Sequence, residues 1–385
     1  MKIRKALVSL LGAVSILVCA ASPQLLAASS DATSIIVDGK TFSSGRNCKG
    51  DNWSYDASAH TLTLDGYSGM YIDLGTQDEV VVEVKGSSKV TSQVASPAIM
   101  VEGSLILQGD GPLFLETDAC HSAVYAKNGD LTVDVGTLFV RGEGEVTDSA
   151  YLLMADGNVE ISDTTIQIED EIKGSGGAVG SIGGDVRIGN GSDVSIDSKT
   201  KGITALEGQV YIEGAGSIVS ISSDESSIYA KKGITISSGA QISADCRKQE
   251  STAVYCPEGK ITLDNADAMV TSQGCAIAGE SIAFSDCYIS FPEDAETKLV
   301  SSMVTIISGN NVSAKVDIKH GVAPTSTPSP TPTPTPVPTP TLTPVPENAG
   351  PFSEITPRML IGAGLLIVAL TVFAVIIIGK IRGRD

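Results

Sequence analysis

The sequence predicts an all-β protein whose main part is a parallel β-helix of about nine rungs, each of about 25 residues. Two observations predict this fold class. Short aliphatic triplets recur at a nearly constant interval, and a glycine precedes most of them. The chain also contains 40 glycines but only 4% aromatic residues, which suits tight turns around a narrow interior and argues against a helical bundle.

The first strand of each rung is the easiest element to locate. Each is an alternating triplet such as Val186-Arg-Ile188, in which two inward side chains flank one outward side chain. The triplets begin at Leu105, Leu131, Val159, Val186, Val210, Ile234, Ile261 and Ile282. An earlier strand over residues 80–84 brings the number of rungs to about nine.

Two further short strands complete each rung. Leu113-Phe-Leu115 is a second strand, and Ile228-Tyr-Ala230 is a third strand that precedes the next turn. Three strands per repeat are typical of a parallel β-helix, whose rungs stack at the interstrand spacing of ~4.8 Å. Leucine-rich repeats need a helical segment, which no rung contains, and propeller blades need four strands over ~40 residues.

Alternation within the third strand predicts one outward side chain per rung. That outward position holds Ile99, Tyr125, Leu153, Gly180, Thr204, Tyr229 and Tyr255. We expect Tyr125, Tyr229 and Tyr255 to form a surface for sugar rings, in which Tyr229 and Tyr255 lie side by side on adjacent rungs and make a flat amphipathic area. The alternative is aromatic packing between rungs, which stabilises a sheet by ~0.2–1 kcal/mol per pair.

The formal net charge of −19 argues against a nucleic-acid partner, because phosphate binding needs concentrated Lys and Arg. The densest acidic run is Glu169-Asp170-Glu171, which we expect in a loop as a candidate Ca²⁺ site or a solvated segment. Another acidic column, which includes Glu102 and Glu207, lies just before the turn glycines. Its carboxylates occupy alternate rungs, about 9 to 10 Å apart, too far for joint chelation of one ion.

Catalytic motifs are scarce, so an enzyme is the less favoured class. The three histidines match no metal-ligand spacing, and the sequence contains no GxSxG motif, P-loop or CxxC motif. A polysaccharide lyase needs a base beside Ca²⁺-binding carboxylates. Arg187 and Arg141 are the candidate bases by position, and exposure on a solvated face explains both equally well.

The amino-terminal region predicts an exported protein. Residues 1–28 combine a basic start with an apolar run and small residues at Ala27 and Ala28, as a secretory signal does. Residues 29–75 form a small β cap, in which we expect Trp53 to close the open end of the solenoid, and residues 76–322 form the β-helix. Six cysteines follow the signal, but their irregular spacing leaves both disulfides and buried free thiols open, including at Cys256.

The carboxy-terminal region predicts a membrane anchor. A Thr/Pro-rich linker over residues 323–350 favours extended polyproline II, which makes a semi-rigid spacer. Residues 359–379 are apolar throughout and match the roughly 20 residues that span a bilayer. The basic residues of the tail, 380–385, mark the cytoplasmic side.

One segment resembles a known family. Residues 53–69, WSYDASAHTLTLDGYSG, run into VVVEVKG at residues 80–86 and then into the rungs. This order resembles clostridial-type surface carbohydrate-binding domain proteins, whose β-helix is similar to that of polysaccharide lyases. The resemblance covers roughly residues 35–300 and implies a right-handed parallel β-helix. It also implies a polysaccharide partner, with Ca²⁺ as a candidate cofactor, on a Gram-positive surface.

These features together favour a membrane-anchored extracellular protein that binds carbohydrate. Two alternatives stay open: a lyase or hydrolase acting on pectin-like polymers, and a structural adhesin or spacer with a protein partner. The resemblance carries no individual binding residue across, because no ligand motif is matched position by position.

Overall fold

The computed structural model describes residues 34–94, 96–118, 122–145 and 150–324. Every regular element in these ranges is a β-strand, and they form a parallel β-solenoid of about nine turns. The predicted signal segment 1–28, nearly all of the Thr/Pro-rich linker and the apolar segment 359–379 lie outside the described residues. Within the described ranges, no helix is long and apolar enough to cross a membrane.

The strands fall into an amino-terminal group, a repeating body and a carboxy-terminal group. The amino-terminal group consists of β1 (Ser34–Val37), β2 (Lys40–Ser43), β3 (Cys48–Gly50), β4 (Trp53–Asp56), β5 (Thr61–Asp65) and β6 (Ser68–Met70). The first half of the body consists of β7 (Ile72–Gly86), β8 (Ser88–Ser92), β9 (Ile99–Thr117), β10 (Val124–Lys127), β11 (Leu131–Glu145), β12 (Ala150–Ala155), β13 (Val159–Ser162), β14 (Thr165–Lys173) and β15 (Gly176–Ser181).

The same three-strand pattern continues to the end of the body. Its second half consists of β16 (Val186–Gly189), β17 (Asp193–Ser198), β18 (Lys201–Ala205), β19 (Gln209–Glu213), β20 (Ile218–Ser223), β21 (Ile228–Ala230), β22 (Gly233–Ser237), β23 (Gln241–Cys246), β24 (Thr252–Asp264), β25 (Asp267–Ser272) and β26 (Cys275–Ser285). The carboxy-terminal group consists of β27 (Cys287–Phe291), β28 (Ala295–Val300), β29 (Met303–Ser308), β30 (Asn311–Val312) and β31 (Lys315–His320).

Three parallel sheets run along the solenoid, one for each strand of the rung. The first-strand sheet passes through β13, β16, β19 and β22. The second-strand sheet passes through β14, β17, β20 and β23, and the third-strand sheet through β12, β15, β18 and β21. Parallel pairing already begins with β5 and β6, so the winding starts at Thr61.

The core is a continuous stack of inward aliphatic side chains. In the rung that contains β16 to β18, Val186, Ile188, Val194, Ile196 and Ile203 are all at most 2% exposed. Burial alternates with a period of two along β16 and β17, whereas the last four residues of β18 are buried on both faces of the strand. Removal of this apolar surface from water is the main stabilising contribution.

The turn glycines are required by the close stacking of rungs. A Cβ atom at Gly208 would collide with the backbone carbonyl of Gly184, and one at Gly259 would collide with that of Lys232. Because backbone atoms cannot yield as a flexible side chain does, these corners accept only glycine. This contact explains why a glycine recurs before the first strand of successive rungs.

Antiparallel strands cover both ends of the solenoid. At the amino-terminal end, β1 pairs with β7 and β4 pairs with β5. At the other end, β29 pairs with β26 and β31 pairs with β25. Such strands occupy hydrogen-bonding edges that would otherwise pair with other chains. Trp53, in β4 of the amino-terminal group, is 8% exposed and packs edge-to-face on Phe42, with 5.1 Å between the ring centroids.

The third-strand register differs from the prediction in two rungs. Tyr125 pairs with Met100 and Met154, whereas Ile99 and Leu153, which we expected to face outward, are fully buried. The turns after Val101 and Ala155 are each one residue shorter than the turn after Ala126. The prediction assumed the same number of residues between the third strand and the turn glycine in every rung, so it is wrong by one residue in these two rungs. A shift of one residue exchanges the two faces of a strand.

Candidate functional site

Two of the three predicted tyrosines are neighbours in the third-strand sheet. Tyr229 pairs with Tyr255 on adjacent rungs, and both side chains are partly exposed. Their ring centroids lie 5.9 Å apart, but the ring planes are inclined by 56°. The pair therefore presents a ridge of two tilted rings, whereas a flat surface was expected.

Tyr125 lies on the same face but far from this pair. Met154, Gly180 and Thr204 separate it from Tyr229 in the column, which corresponds to four interstrand steps, or about 19 Å. Its hydroxyl donates a hydrogen bond of 2.9 Å to Asp156 Oδ1, and burial and this carboxylate raise the pKa of Tyr125 to about 12. The three tyrosines therefore do not converge on one site.

A fourth tyrosine, absent from the predicted set, fills the gap between them. Tyr151 is 2% exposed, and its ring lies against the Cα atom of Gly180, where any larger residue would collide with the ring. Burial raises the pKa of its hydroxyl to about 12. Tyr151 is thus a packing residue that covers this part of the third-strand sheet.

Two glutamates of the acidic column before the turn glycines are paired with lysines. Lys127 Nζ lies 2.9 Å from Glu102 Oε1, and Lys231 Nζ lies 2.6 Å from Glu207 Oε2. Hydrogen bonds from these lysines lower the pKa values of both glutamates. Among the described residues, no group of three or more His, Cys, Asp or Glu side chains could hold a metal ion.

The acidic run Glu169-Asp170-Glu171 lies within strand β14, and the expectation of a loop was wrong. Alternation along the strand exposes Glu169 and Glu171 and turns Asp170 inward, where it is 2% exposed. The three carboxylates therefore cannot converge on one cation.

Inside the solenoid, Asp170 is held by hydroxyl and amide donors. Its Oδ2 accepts hydrogen bonds from Ser198 Oγ at 2.6 Å and from Thr200 Oγ1 at 3.2 Å, and its Oδ1 accepts one from the Ile172 amide at 3.1 Å. Burial raises the pKa of Asp170 against the opposing effect of these hydrogen bonds.

Both arginines considered as bases are held by neighbouring side chains. The guanidinium of Arg187 lies over the ring of Tyr211, 3.8 Å from its centroid, and contacts Asp185 Oδ2 at 3.3 Å. Arg141 forms an ion pair with Glu143, with 2.5 Å between Nη2 and Oε1. Each guanidinium therefore contacts a carboxylate, and that of Arg187 also contacts an aromatic ring.

The cysteines in the described residues are free thiols. They are Cys48, Cys246, Cys256, Cys275 and Cys287. Of the two outcomes left open for Cys256, the structure shows the buried thiol, and burial raises its pKa to about 11. A thiol with such a pKa is not a nucleophile at neutral pH.

The most regular aromatic feature lies on the second-strand sheet, and sequence reasoning missed it. Phe114 of β9 and Phe139 of β11 pair on adjacent rungs, and their outward rings stack with centroids 4.8 Å apart and an interplanar angle of 8°. Both phenylalanines are partly exposed. The sequence pattern could have predicted this pair, because each phenylalanine occupies the outward middle position of a second strand. These strands are Leu113-Phe-Leu115 and Leu138-Phe-Val140.

These two rings line an open groove together with polar side chains of the same sheet. The groove has a volume of about 160 Å³, and Glu116, Arg141, Gln167 and Glu169 line it beside the two rings. Lys89 contacts Glu116 at 2.7 Å, and Gln167 Nε2 donates to Glu169 Oε1 at 3.2 Å. The site thus combines a flat apolar surface with hydrogen-bonding groups, as a ligand site on a rigid sheet does.

Comparison with protein-family models, with curated proteins and with solved structures gives no match for this chain.

Proposed function

We propose that this protein is a carbohydrate-binding β-helix protein, exported and anchored in the cell membrane by residues 359–379, and that it binds polysaccharide through the Phe114/Phe139 groove. The solenoid would be right-handed, as the family resemblance implies. The apolar segment, its basic flank and the Thr/Pro-rich linker in the sequence support the anchor and spacer.

The observation that carries the proposal is the parallel stack of Phe114 and Phe139. A sugar ring has a face of C–H groups, and it packs on a flat aromatic surface through dispersion and the release of water. The polar edge of the sugar then meets the side chains of Glu116, Arg141, Gln167 and Glu169. The Tyr229/Tyr255 pair is the second candidate face, and its 56° tilt makes it the less suitable one.

Retention of the full chain on polysaccharide affinity gels tests the proposal. The chain is kept in a detergent without a sugar headgroup, so that the detergent does not compete. We expect Phe114→Ala with Phe139→Ala to weaken retention on the order of tenfold or more, as expected when two central aromatic contacts are lost. The matched double variant Tyr229→Ala with Tyr255→Ala should retain the wild-type behaviour.

The opposite result, loss only in the tyrosine variant, would move the site to the third-strand sheet. No binding of the wild-type chain across a glycan array would discard carbohydrate binding and favour the adhesin alternative. Release of ultraviolet-absorbing products, abolished by a chelator, would favour the lyase alternative. In the structure, both candidate bases of that alternative, Arg141 and Arg187, are in contact with other side chains.

A further inference from the structure

We propose that the ligand is an uncharged polysaccharide chain that lies along the solenoid axis, over a track of outward side chains that begins at the two phenylalanines. This inference rests on the proposed function and specifies its ligand class and binding direction. The track consists of Phe114, Phe139, Gln167, Ser195, Ser220 and Ser243.

The hydrogen-bond register places these side chains in one row. Phe114 pairs with Phe139, which pairs with Gln167, and Gln167 pairs with Ser195. Ser195 then pairs with Ser220, and Ser220 with Ser243. Five interstrand steps give the row a length of about 24 Å at a right angle to the strands. Such a row matches an extended polymer and exceeds what a single sugar needs.

The far half of the track carries hydroxyl groups that are available to a ligand. Ser195 and Ser220 are exposed and Ser243 is partly exposed. In the described part of the chain, none of these three hydroxyls has a hydrogen-bond partner. Each can both donate and accept a hydrogen bond, as sugar hydroxyls can, so the two surfaces are complementary. A polymer held by the rings would therefore continue over these serines.

The row beside the track determines the charge of the ligand. It consists of Thr91, Glu116, Arg141, Glu169, Asp197, Ser222 and Asp245. Its single cation, Arg141, is already paired with Glu143. Lys89, which pairs with Phe114 in the track's own row, contacts Glu116, and Arg247 contacts Asp197 at 2.7 Å. A polymer of uronic acids would face an excess of carboxylates and no unpaired cation in this row, and the repulsion disfavours it. An uncharged chain meets no such penalty.

A chain-length series tests the direction of binding. Calorimetric titration of the full chain, in the same detergent, uses uncharged β-1,4-linked gluco-, manno- and xylo-oligosaccharides of two and six units. We expect the six-unit ligand of at least one series to bind on the order of tenfold more tightly than its two-unit ligand. Oligogalacturonates of the same lengths, with EDTA present, should bind more weakly than the uncharged ligand.

The variant Ser220→Arg places a long side chain across the far half of the track. It should remove the advantage of the six-unit ligand and leave binding of the two-unit ligand unchanged. The matched control is Thr235→Arg, which makes the same change at the outward middle position of a first strand on another sheet, where it should have no effect. Circular dichroism checks that both variants fold.

The outcomes separate this inference from the proposed function. If the phenylalanine variants abolish binding but Ser220→Arg leaves the six-unit affinity unchanged, the groove is correct and the axial track is wrong. Tighter binding of oligogalacturonates in EDTA would overturn the uncharged ligand class. If the wild-type chain binds none of the uncharged ligands but is retained on a gel of an acidic polysaccharide, the uncharged ligand class is wrong and the proposed function stands. Only the absence of binding across the glycan array overturns both proposals.

Discussion

The ring centroids of Phe114 and Phe139 lie 4.8 Å apart, which is the spacing of the strands that carry them, and the ring planes are inclined by only 8°. Successive rungs of a parallel sheet repeat the same backbone orientation, so equal side chains in equal positions stack in parallel. Tyr229 and Tyr255 also occupy equal positions on adjacent rungs, yet their planes are inclined by 56°. The second-strand sheet therefore provides the flatter of the two aromatic surfaces.

We expect the phenylalanine stack to contribute little to stability, because its rings lie outside the core. Phe139→Ala should lower the free energy of unfolding by about 0.2–1 kcal/mol, the usual contribution of a cross-strand pair. The neighbouring inward residue is the control, since Leu138 is fully buried and Leu138→Ala should cost about 2–5 kcal/mol. Urea unfolding of the two variants measures both, and equal losses would show that Phe139 is a core residue.

Asp170 should make stability depend on pH. Burial raises its folded-state pKa above 3.8, so the native state keeps the proton at pH values where the unfolded chain has lost it. Stability from this residue is therefore greatest at low pH and decreases as pH rises through the raised pKa. Asp170→Asn removes the titration, and the stability of this variant relative to wild type should increase as pH rises from about 4 upward.

Urea midpoints at several pH values measure this difference between the variant and the wild type. Asp193→Asn is the control, because Asp193 lies in the adjacent rung, is exposed and forms no ion pair with any of the described residues. Parallel pH profiles for wild type and Asp170→Asn would refute the prediction. The informative quantity is how the difference in stability between Asp170→Asn and the wild type changes with pH. The other carboxylates of this acidic chain titrate in both proteins, so their effect cancels in that difference.

The contact between Tyr151 and Gly180 should appear as an energetic coupling. Gly180→Ala forces a methyl group into the tyrosine ring, and overpacking of this kind costs about 1–3 kcal/mol. Combining it with Tyr151→Ala should cost less than the sum of the two single variants, because the collision is then removed. Gly189→Ala, where the added methyl group would lie 3.3 Å from the Glu213 carbonyl oxygen, is the mild control. Additive losses in thermal unfolding would contradict the coupling.

Cys246 and Cys256 should be protected thiols in the folded protein. Both are fully buried, and burial raises the pKa of each. Iodoacetamide should therefore label them only after denaturation, because the reactive thiolate is both inaccessible and scarce. Mass spectrometry of peptides from native and denatured samples measures the labelling. Rapid labelling of Cys256 in the native sample, or a disulfide that links it to Cys246, would contradict the structure.

Much of the fold follows from local patterns in the chain. The interval of about 25 residues, the three aliphatic triplets per rung and the turn glycines predict the solenoid, because each strand must turn alternate side chains inward and each corner must fit against the previous one. The candidate site was less predictable. The triplets that contain Phe114 and Phe139 were recognised as strands, but the significance of their outward rings depends on which strands become neighbours.

The sequence by itself therefore determined the repeating strands, the composition of the core and the acidic surface. Only the tertiary structure decided the pairing of Tyr125 with Met154, the inward position of Asp170 and the parallel stack of Phe114 on Phe139. The physical reason is the two-residue period of a strand: one residue more or less in a turn exchanges its faces, and turn lengths are fixed by contacts between rungs that are distant in the sequence.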